Sequence, residues 1–390
     1  MFIDEDGIEL MKKVLLIMPI STLNWGEKNA GGVDSVCQML VRELAKSSGN
    51  YFYRVLAFDP FCQVKYTGEV INLSENVQVI RCPSNEKRII PLPGIISTNL
   101  RVLEQVKLFN PDIVHSHINS WLIGVNNKLR RISTLHSYKR IGRKPVSKMN
   151  DLFHIRIVPW LSDLYVDEYT CVGNILKDSL VRDTNKPISL VENPISSDYF
   201  YCSRNIEDNK ELRFVTCALI TKKKRIDKAI EVVALLNNSG IDSQLSIIGP
   251  VSDIEYYSEL VKQVEMLGLS NRVRFLGAMK NAEIIEVYKS SNFGVFCSEE
   301  ETFGLAPMEM LAAKLPLITT RVGIFKERYS EFKLLGVHFF EDIENNDELV
   351  NIFLSNNSSS SYEIVKYVED NFSVSDVIKK YETIYSKVVV

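Results

Sequence analysis

At 390 residues the chain is longer than one hydrophobic core usually serves, so two domains with a cleft between them are the expectation. Its 45% hydrophobic, 24% charged and 9% aromatic residues, with a net charge of -3, describe ordinary globular protein and exclude a disordered or fibrous chain. Charge is uneven: residues 1–195 hold 24 Lys+Arg against 20 Asp+Glu, and residues 196–390 hold 22 against 29, so the halves are expected to face different partners. Cys37, Cys62, Cys82, Cys171, Cys202, Cys217 and Cys297 are scattered, with no Cys-x-x-Cys pair and no Cys/His cluster at metal spacing, which points to a reducing cytoplasm and no bound metal.

The first ten residues, "MFIDEDGIEL", carry four acids and read as a solvated appendage, with Met11 an alternative start. The following "MKKVLLIMPI" opens like a signal peptide. Its apolar run is short, however, and no small-residue cleavage site precedes Trp25, Glu27 and Lys28, so it is read as a first buried strand. No apolar run approaches the ~20 residues that span a bilayer, and any membrane contact is expected to be peripheral, on the inner face.

Short runs rich in Val, Ile and Leu then alternate with amphipathic segments, the pattern of buried parallel strands joined by helices. "KKVLLIMP", "FYRVLAFD", "NVQVIRC", "DIVHSH" and "RISTLHS" read as strands of the first half, and "LRFVTCAL", "SQLSIIG", "RVRFLG", "FGVFCS" and "LPLITT" as strands of the second. "VDSVCQMLVRELAKS" places Val33, Val36, Leu40 and Leu44 on one helical face, and "DKAIEVVALLNNSG" and "YYSELVKQVEMLGLS" end in glycine-containing stops. Two successive doubly wound α/β domains follow, the first at 1–195 and the second at 196–370. The boundary falls in the polar stretch around "NPISSDYF", and the last segment, 371–390, is a helix expected to pack back on the first domain.

Several stretches carry chemistry. In "CSEEETFGLAPMEMLAAKLPLITT", Glu299, Glu300 and Glu301 precede a Phe-Gly-Leu turn, and Glu309 sits in an otherwise apolar helix. With Pro307 taken as the first helical residue, the cap is Ala306, which has no side-chain oxygen, so a capping box fails. A carboxylate among Ala, Met and Leu needs hydrogen-bond donors; ribose hydroxyls would serve, and compensation of the helix dipole is the alternative. The free N–H groups at the start of that helix suit a phosphate. Lys222, Lys223, Lys224 and Arg225 open another helix, where cations oppose the dipole, which points to an anionic ligand. Gly31 and Gly32 precede a helix and would let backbone approach a diphosphate, or simply make a turn. Among the five histidines, His115, His117 and His136 all fall at strand ends, where open α/β sheets bind ligands; His115 is read as structural. From Lys128 to Lys148 run eight Lys/Arg and no acid, able to attract a phosphorylated acceptor or an anionic membrane surface, or to form a solvated loop. Nucleic acid is not expected, because no RNA- or DNA-binding signature accompanies the run. Phosphate-loop, zinc-protease and serine-hydrolase motifs are absent from the sequence.

"EEETFGLAPMEMLAAKLPLITTRVG" resembles the signature of the retaining glycosyltransferases of family 4, the group 1 glycosyl transferases of GT-B fold, in which two glutamates with seven residues between them, here Glu301 and Glu309, flank an F-G-L turn. "AGGVDSVCQMLVRELAKS", "PDIVHSH", "NPISSDYF", "NRVRFLGAMKNAEIIEVYKSSNFGVFCS" and "VEDNFSVSDVIKKYETIY" extend the likeness over roughly residues 12–385. The resemblance implies two Rossmann-like doubly wound domains facing a cleft, the first taking the acceptor and the second the nucleotide sugar. It implies that Glu309 holds the donor ribose, Glu301 approaches the donor sugar, and the amides of Phe303, Gly304 and Leu305 meet sugar and phosphate. Lys224, with Lys223 next, matches the family's pyrophosphate lysine; Gly31 and Gly32 match its first glycine loop, Gly249 a strand-end glycine and Gly277 a site near the base. His117 and His136 would line the cleft near the transferred sugar.

The chain departs from the family at Thr302, where glycine is usual, at Pro250, and near Ala218 and Leu219, where a phosphate-binding arginine is missing. The implied activity is metal-independent, retaining hexosyl transfer from a nucleoside diphosphate sugar, with no separate cofactor, to a glycan or lipid-linked acceptor of surface polysaccharide or lipopolysaccharide assembly. A non-catalytic donor-binding partner of another glycosyltransferase, or an epimerase or sugar phosphorylase of related fold, is the alternative.

Overall fold

The structure, a computed structural model, describes residues 11–84, 94–139, 141, 152–201, 211–355 and 362–387. The acidic prefix, Cys202, and Arg140, Arg143, Lys144 and Lys148 of the basic run lie outside the described residues. The chain divides into two compact units, residues 1–194 with 374–390, and residues 195–373.

The first unit is built on an eight-stranded sheet of β1 (Lys12–Pro19), β2 (Tyr51–Asp59), β3 (Ile71–Asn72), β4 (Val77–Pro83), β5 (Ile113–Ser116), β6 (Arg130–Leu135), β7 (Glu168–Cys171) and β8 (Ile188–Leu190). Its spatial order is β3-β4-β2-β1-β5-β6-β7-β8, parallel throughout except for the two-residue β3. Val14, Leu15, Leu16 and Ile17 of the central strand are all at most 2% exposed, because helices cover both faces of a parallel sheet. From β1 the chain winds one way to β2 and β4, then returns to the other side as β5. The loops after β1 and β5 therefore emerge side by side at the carboxyl edge, the usual ligand position of such sheets.

The second unit carries a six-stranded, wholly parallel sheet of β9 (Leu212–Cys217), β10 (Ser243–Ile248), β11 (Val273–Gly277), β12 (Phe293–Phe296), β13 (Leu317–Thr319) and β14 (His338–Phe339), in the order β11-β10-β9-β12-β13-β14. Alternation along the strands builds a core on each face. Val215, Ile248, Phe296 and Leu317 join one cluster, while their neighbours Phe214, Ile247, Val295 and Ile318 join the other. All ten strand segments expected from the apolar runs are present, and β3, β7, β8 and β14 are additional; at four residues or fewer, they offer too little pattern to stand out.

The helix Gly32–Leu44 buries Val36, Leu40 and Leu44 as its spacing predicts, while Val33 is only half-buried and the polar Asp34 and Gln38 are buried in its place. The last helix, Val374–Ser386, belongs to the first unit and turns Tyr381 and Tyr385 inward. There the Tyr385 hydroxyl lies 2.6 Å from His115 Nδ1, and His115 Nε2 lies 2.7 Å from Thr134 Oγ1. Burial holds the His115 ring neutral, lowering its pKa to about 3. Both ring nitrogens are thus occupied by the fold, which is why a histidine is tolerated at a fully buried position.

Replacing Tyr385 by Phe leaves a buried His115 nitrogen unpaired and is expected to cost about 1–3 kcal/mol in urea unfolding of the full chain. An unchanged unfolding midpoint would contradict this role for the closing helix.

Candidate functional site

Four loops of the second unit leave the carboxyl ends of adjacent parallel strands β11, β10, β9 and β12, so the sheet itself gathers Gly277, Gly249, the lysine cluster and the glutamate run at one edge. After β9, residues Lys222–Lys224 form a single 3-10 turn. Arg225 then adopts a left-handed conformation with φ 47° as the cap of the helix Ile226–Asn238. The cations thus precede the helix rather than opening it. Three of them are answered by the three glutamates after β12: Lys223 pairs with Glu300 at 2.9 Å, Arg225 with Glu299 at 3.1 Å, and Lys224 with Glu301. The backbone joins the same two loops, Glu299 N–H donating to the Lys223 carbonyl at 2.9 Å. Lys224 and Glu301 are the most enclosed of the three pairs, with side chains 21% and 15% exposed.

The helix beyond the glutamates runs Leu305–Ala312, with Gly304 as its cap at φ 104°, ψ 61°. This corrects the assignment of Ala306 as cap and Pro307 as first residue. Gly304 takes the left-handed conformation that other residues avoid, and helix formation begins directly after it. Glu309 consequently stands in the second turn and is too far along to compensate the dipole of the first. Its carboxyl instead accepts a hydrogen bond from the Tyr199 hydroxyl. Burial raises the Glu309 pKa to about 7, and the Tyr199 bond opposes that rise. The buried Tyr288 and the half-buried Cys217 lie near the same carboxyl; burial raises both pKa values, Glu309 comes next for Cys217, and Cys217 and then Glu309 for Tyr288.

The first-turn N–H groups of the helix, beginning with Leu305, have no carbonyl four residues back to bond. Phe303 is divided: its side chain is 1% exposed in the core against Phe372, and its carbonyl accepts from Ile324 N–H at 2.9 Å. Only its amide remains for a ligand. Gly249 has a structural reason of its own. At φ 140° an added Cβ would lie 1.9 Å from the Ala218 carbonyl oxygen, and its N–H donates to the Gly277 carbonyl at 2.8 Å.

In the first unit, Gly31 caps the helix Gly32–Leu44, and the loop before it is organised by a residue absent from the sequence-based site. Asp34, 3% exposed, accepts from Ser21 N–H at 2.9 Å, Ala30 N–H at 2.7 Å and Gln38 Nε2 at 2.9 Å. An acid two residues after Gly-Gly and four before a glutamine is the sequence signal that could have found it. His117 follows β5 and His136 follows β6, and they meet: His117 Nδ1 is 3.0 Å from His136 Nε2. Both rings are held neutral by burial, His136 with its pKa lowered to about 4 and His117 well below the ordinary histidine range. His117 Nε2 is buried without a hydrogen-bond partner among the described residues.

The basic run is not an uncompensated patch where it is described. Arg130 pairs with Glu168 at 2.8 Å, Arg131 with Asp167 at 2.6 Å and Lys139 with Asp183 at 2.6 Å, their partners coming from distant sequence. No helix among the described residues is long and apolar enough to cross a membrane.

Two Rossmann-like units, each presenting loops at the carboxyl edge of a parallel sheet, with a lysine–glutamate cluster in the second, define a glycosyltransferase of the GT-B class. Residues 203–369 match the model of the glycosyl transferases group 1, and residues 30–199 that of glycosyltransferase family 4. The chain is 32% identical over 363 residues to a D-inositol 3-phosphate glycosyltransferase of Corynebacterium urealyticum, covering 83% of this chain and 82% of that protein. It is 25% identical over 246 residues to N-acetyl-alpha-D-glucosaminyl L-malate synthase of Bacillus anthracis, covering 57% of this chain and 60% of that protein. Anabaena Alr3699/HepE, solved in complex with UDP-glucose, has the same fold, with a TM-score of 0.67 at 13% identity over 96% of this chain and all of that one. The chain belongs to the group 1 glycosyl transferases, glycosyltransferase family 4.

The raised pKa of Glu309 has a signed consequence. The folded carboxyl keeps its proton to about pH 7, whereas an unfolded glutamate releases it near ~4.3, so the folded state loses stability as pH rises through that window. The unfolding midpoint of Glu309→Gln relative to wild type is expected to climb between pH 5 and pH 8. A difference that stays constant across that range would contradict the assignment.

Proposed function

We propose that the protein is a retaining glycosyltransferase that moves a sugar from a nucleoside diphosphate sugar to a hydroxyl of a glycan or lipid-linked acceptor, in the assembly of a surface polysaccharide or lipopolysaccharide. The observation that carries this reading is the pairing of Lys224 with Glu301 beside the free N–H groups of the Leu305–Ala312 helix, with the enclosed carboxyl of Glu309 on that same helix. Each part answers a part of the donor. The lysine and N–H groups suit a diphosphate, Glu301 suits the hydroxyls of a sugar, and Glu309 suits the hydroxyls of a ribose.

Donor binding on this reading is an exchange. Lys224 leaves Glu301 for the diphosphate, and Glu301 is released to accept from the sugar, so the charges are assembled before the ligand arrives and little reorganisation is left to the reaction. The bond from the anomeric carbon to the phosphate oxygen breaks as negative charge gathers on the departing diphosphate, where Lys224, Lys223 and the helix N–H groups stabilise it. The acceptor oxygen bonds to the same face of the carbon, and its proton passes to the leaving diphosphate. No side chain is assigned as a nucleophile, and no metal is required by these roles. The arginine that the family places near Ala218 is replaced in charge by the Lys222–Arg225 cluster. His117 of the first unit offers its open Nε2 to a sugar hydroxyl.

A panel of nucleoside diphosphate sugars, each at about 100 times its dissociation constant, tests the reading by thermal shift. A ligand at that level stabilises by about 2.7 kcal/mol and raises the melting temperature by about 5–11 °C for a domain of roughly 150–250 residues. One donor is expected to produce the shift in wild type and not in Glu309→Ala, and to be consumed with the acceptor to give a product of unchanged anomeric configuration. No shift with any donor, or an inverted product, would overturn the proposal.

A further inference from the structure

The loops after β1 and β2 meet beside β4 at the carboxyl edge of the first sheet, and two half-buried cations there have no acid to answer them. Arg81, on β4 beside Ala57 of β2, donates Nη2–H to the Ser21 carbonyl in the loop after β1 at 2.9 Å. Its Nε is buried with no hydrogen-bond partner among the described residues. Arg54, on β2, shows the ordinary solution: its Nε and Nη2 both donate to Gln78 Oε1, at 3.2 and 2.8 Å. Lys28 lies in the same loop as Ser21, whose hydroxyl donates to the Lys28 carbonyl at 3.3 Å, and Gln38 Nε2 donates to both oxygens. The Lys28 ammonium turns to the loop after β2, where it meets Gln63 Oε1 at 2.6 Å and lies 4.0 Å from the centre of the Phe61 ring. Both partners are neutral, and neither Arg81 nor Lys28 forms an ion pair among the described residues.

We propose that Arg81 and Lys28 form a phosphate site in the first unit, and that the acceptor hydroxyl is presented by a molecule carrying a phosphate monoester; this rests on the transferase reading above.

Charge selects the ligand. A guanidinium presents its N–H groups in a planar fork that fits the oxygens of an oxyanion, and a phosphate oxygen supplies the acceptor that Nε lacks. Lysine adds a compact charge on a flexible stem, which moves from Gln63 to a second phosphate oxygen without breaking an ion pair. Two unanswered positive charges match a phosphate monoester, which carries about two negative charges at neutral pH, better than a carboxylate, which carries one. The basic run after Lys128 is the more obvious place for such a group in sequence, but Arg130, Arg131 and Lys139 are already held by acids. The diphosphate of a donor has cations of its own in the second unit, at Lys222–Arg225.

Phosphorus NMR of glycerol 3-phosphate titrated with the full chain tests the site, with glycerate as competitor on the same carbon skeleton. The line is expected to broaden with wild type, and Arg81→Gln and Lys28→Gln are each expected to weaken the fitted affinity about tenfold. Glycerate is expected to displace little of the ester at equal concentration. An affinity that neither substitution lowers, as binding at Lys222–Arg225 alone would give, overturns the proposal. So does glycerate that competes on equal terms. If Arg81→Gln does not fold, Lys28→Gln, in a surface loop, decides. The donor panel separates the two sources of phosphate: a thermal shift retained in Arg81→Gln assigns the site to the acceptor, whereas a shift lost there gives it to the donor and overturns the proposal. The NMR titration needs no turnover. A chain that binds the ester through Arg81 and is stabilised by no donor therefore overturns the transferase reading alone. A chain stabilised by a donor, with ester affinity indifferent to both substitutions, overturns the phosphate site alone.

Discussion

Three positive side chains in the loop after β9 meet three negative ones in the loop after β12, and the second unit's site depends on that meeting. Lysines crowded before a helix N-terminus repel one another and the helix dipole alike. The glutamates, brought alongside because β9 and β12 are neighbouring parallel strands, relieve both. The outer pairs are too exposed to add much stability, but they and the backbone bond between Lys223 and Glu299 tie the loops into one body. The inner pair, Lys224 with Glu301, is the most enclosed of the three. A run that reads in sequence as an excess of acid is, in three dimensions, a set of counterions holding cations in place.

The first unit works by the opposite means. His115, His117 and His136 are stripped of charge by burial and held by neutral hydrogen bonds, His115 to Tyr385 of the closing helix and His117 to His136. One unit thus holds its polar side chains as ion pairs, and the other as neutral hydrogen-bonded rings. The closing helix matters to this because it crosses back to complete the first unit: without Tyr381 and Tyr385 the buried His115 would lose partners, and His117 packs directly against that ring at 4.9 Å.

How far the sequence revealed this differs by the range of the interaction. Continuous Val, Ile and Leu runs are enough to locate strands buried on both faces, and ten were found that way. The glutamate pair, the lysine cluster and the glycines stand in fixed local spacing, so the sequence alone singles them out. What escaped was set by partners distant in the chain. Tyr199 lies 110 residues from Glu309 and reads only as part of a linker, yet it donates to that carboxyl. Arg130, Arg131 and Lys139 look uncompensated because Glu168, Asp167 and Asp183 lie outside the run. The helix cap was misplaced for a local reason: Pro307 is a good first-turn residue, but the left-handed turn at Gly304 starts the helix earlier and leaves the proline third.

The most direct measurement is a crystal structure of the chain with a nucleoside diphosphate sugar. The account predicts the diphosphate on Lys224 and on the N–H groups at the start of the Leu305–Ala312 helix, Glu301 released from Lys224 onto a sugar hydroxyl, and Glu309 within hydrogen-bond distance of the ribose. A nucleotide bound elsewhere, with the Lys224–Glu301 pair intact, would contradict it.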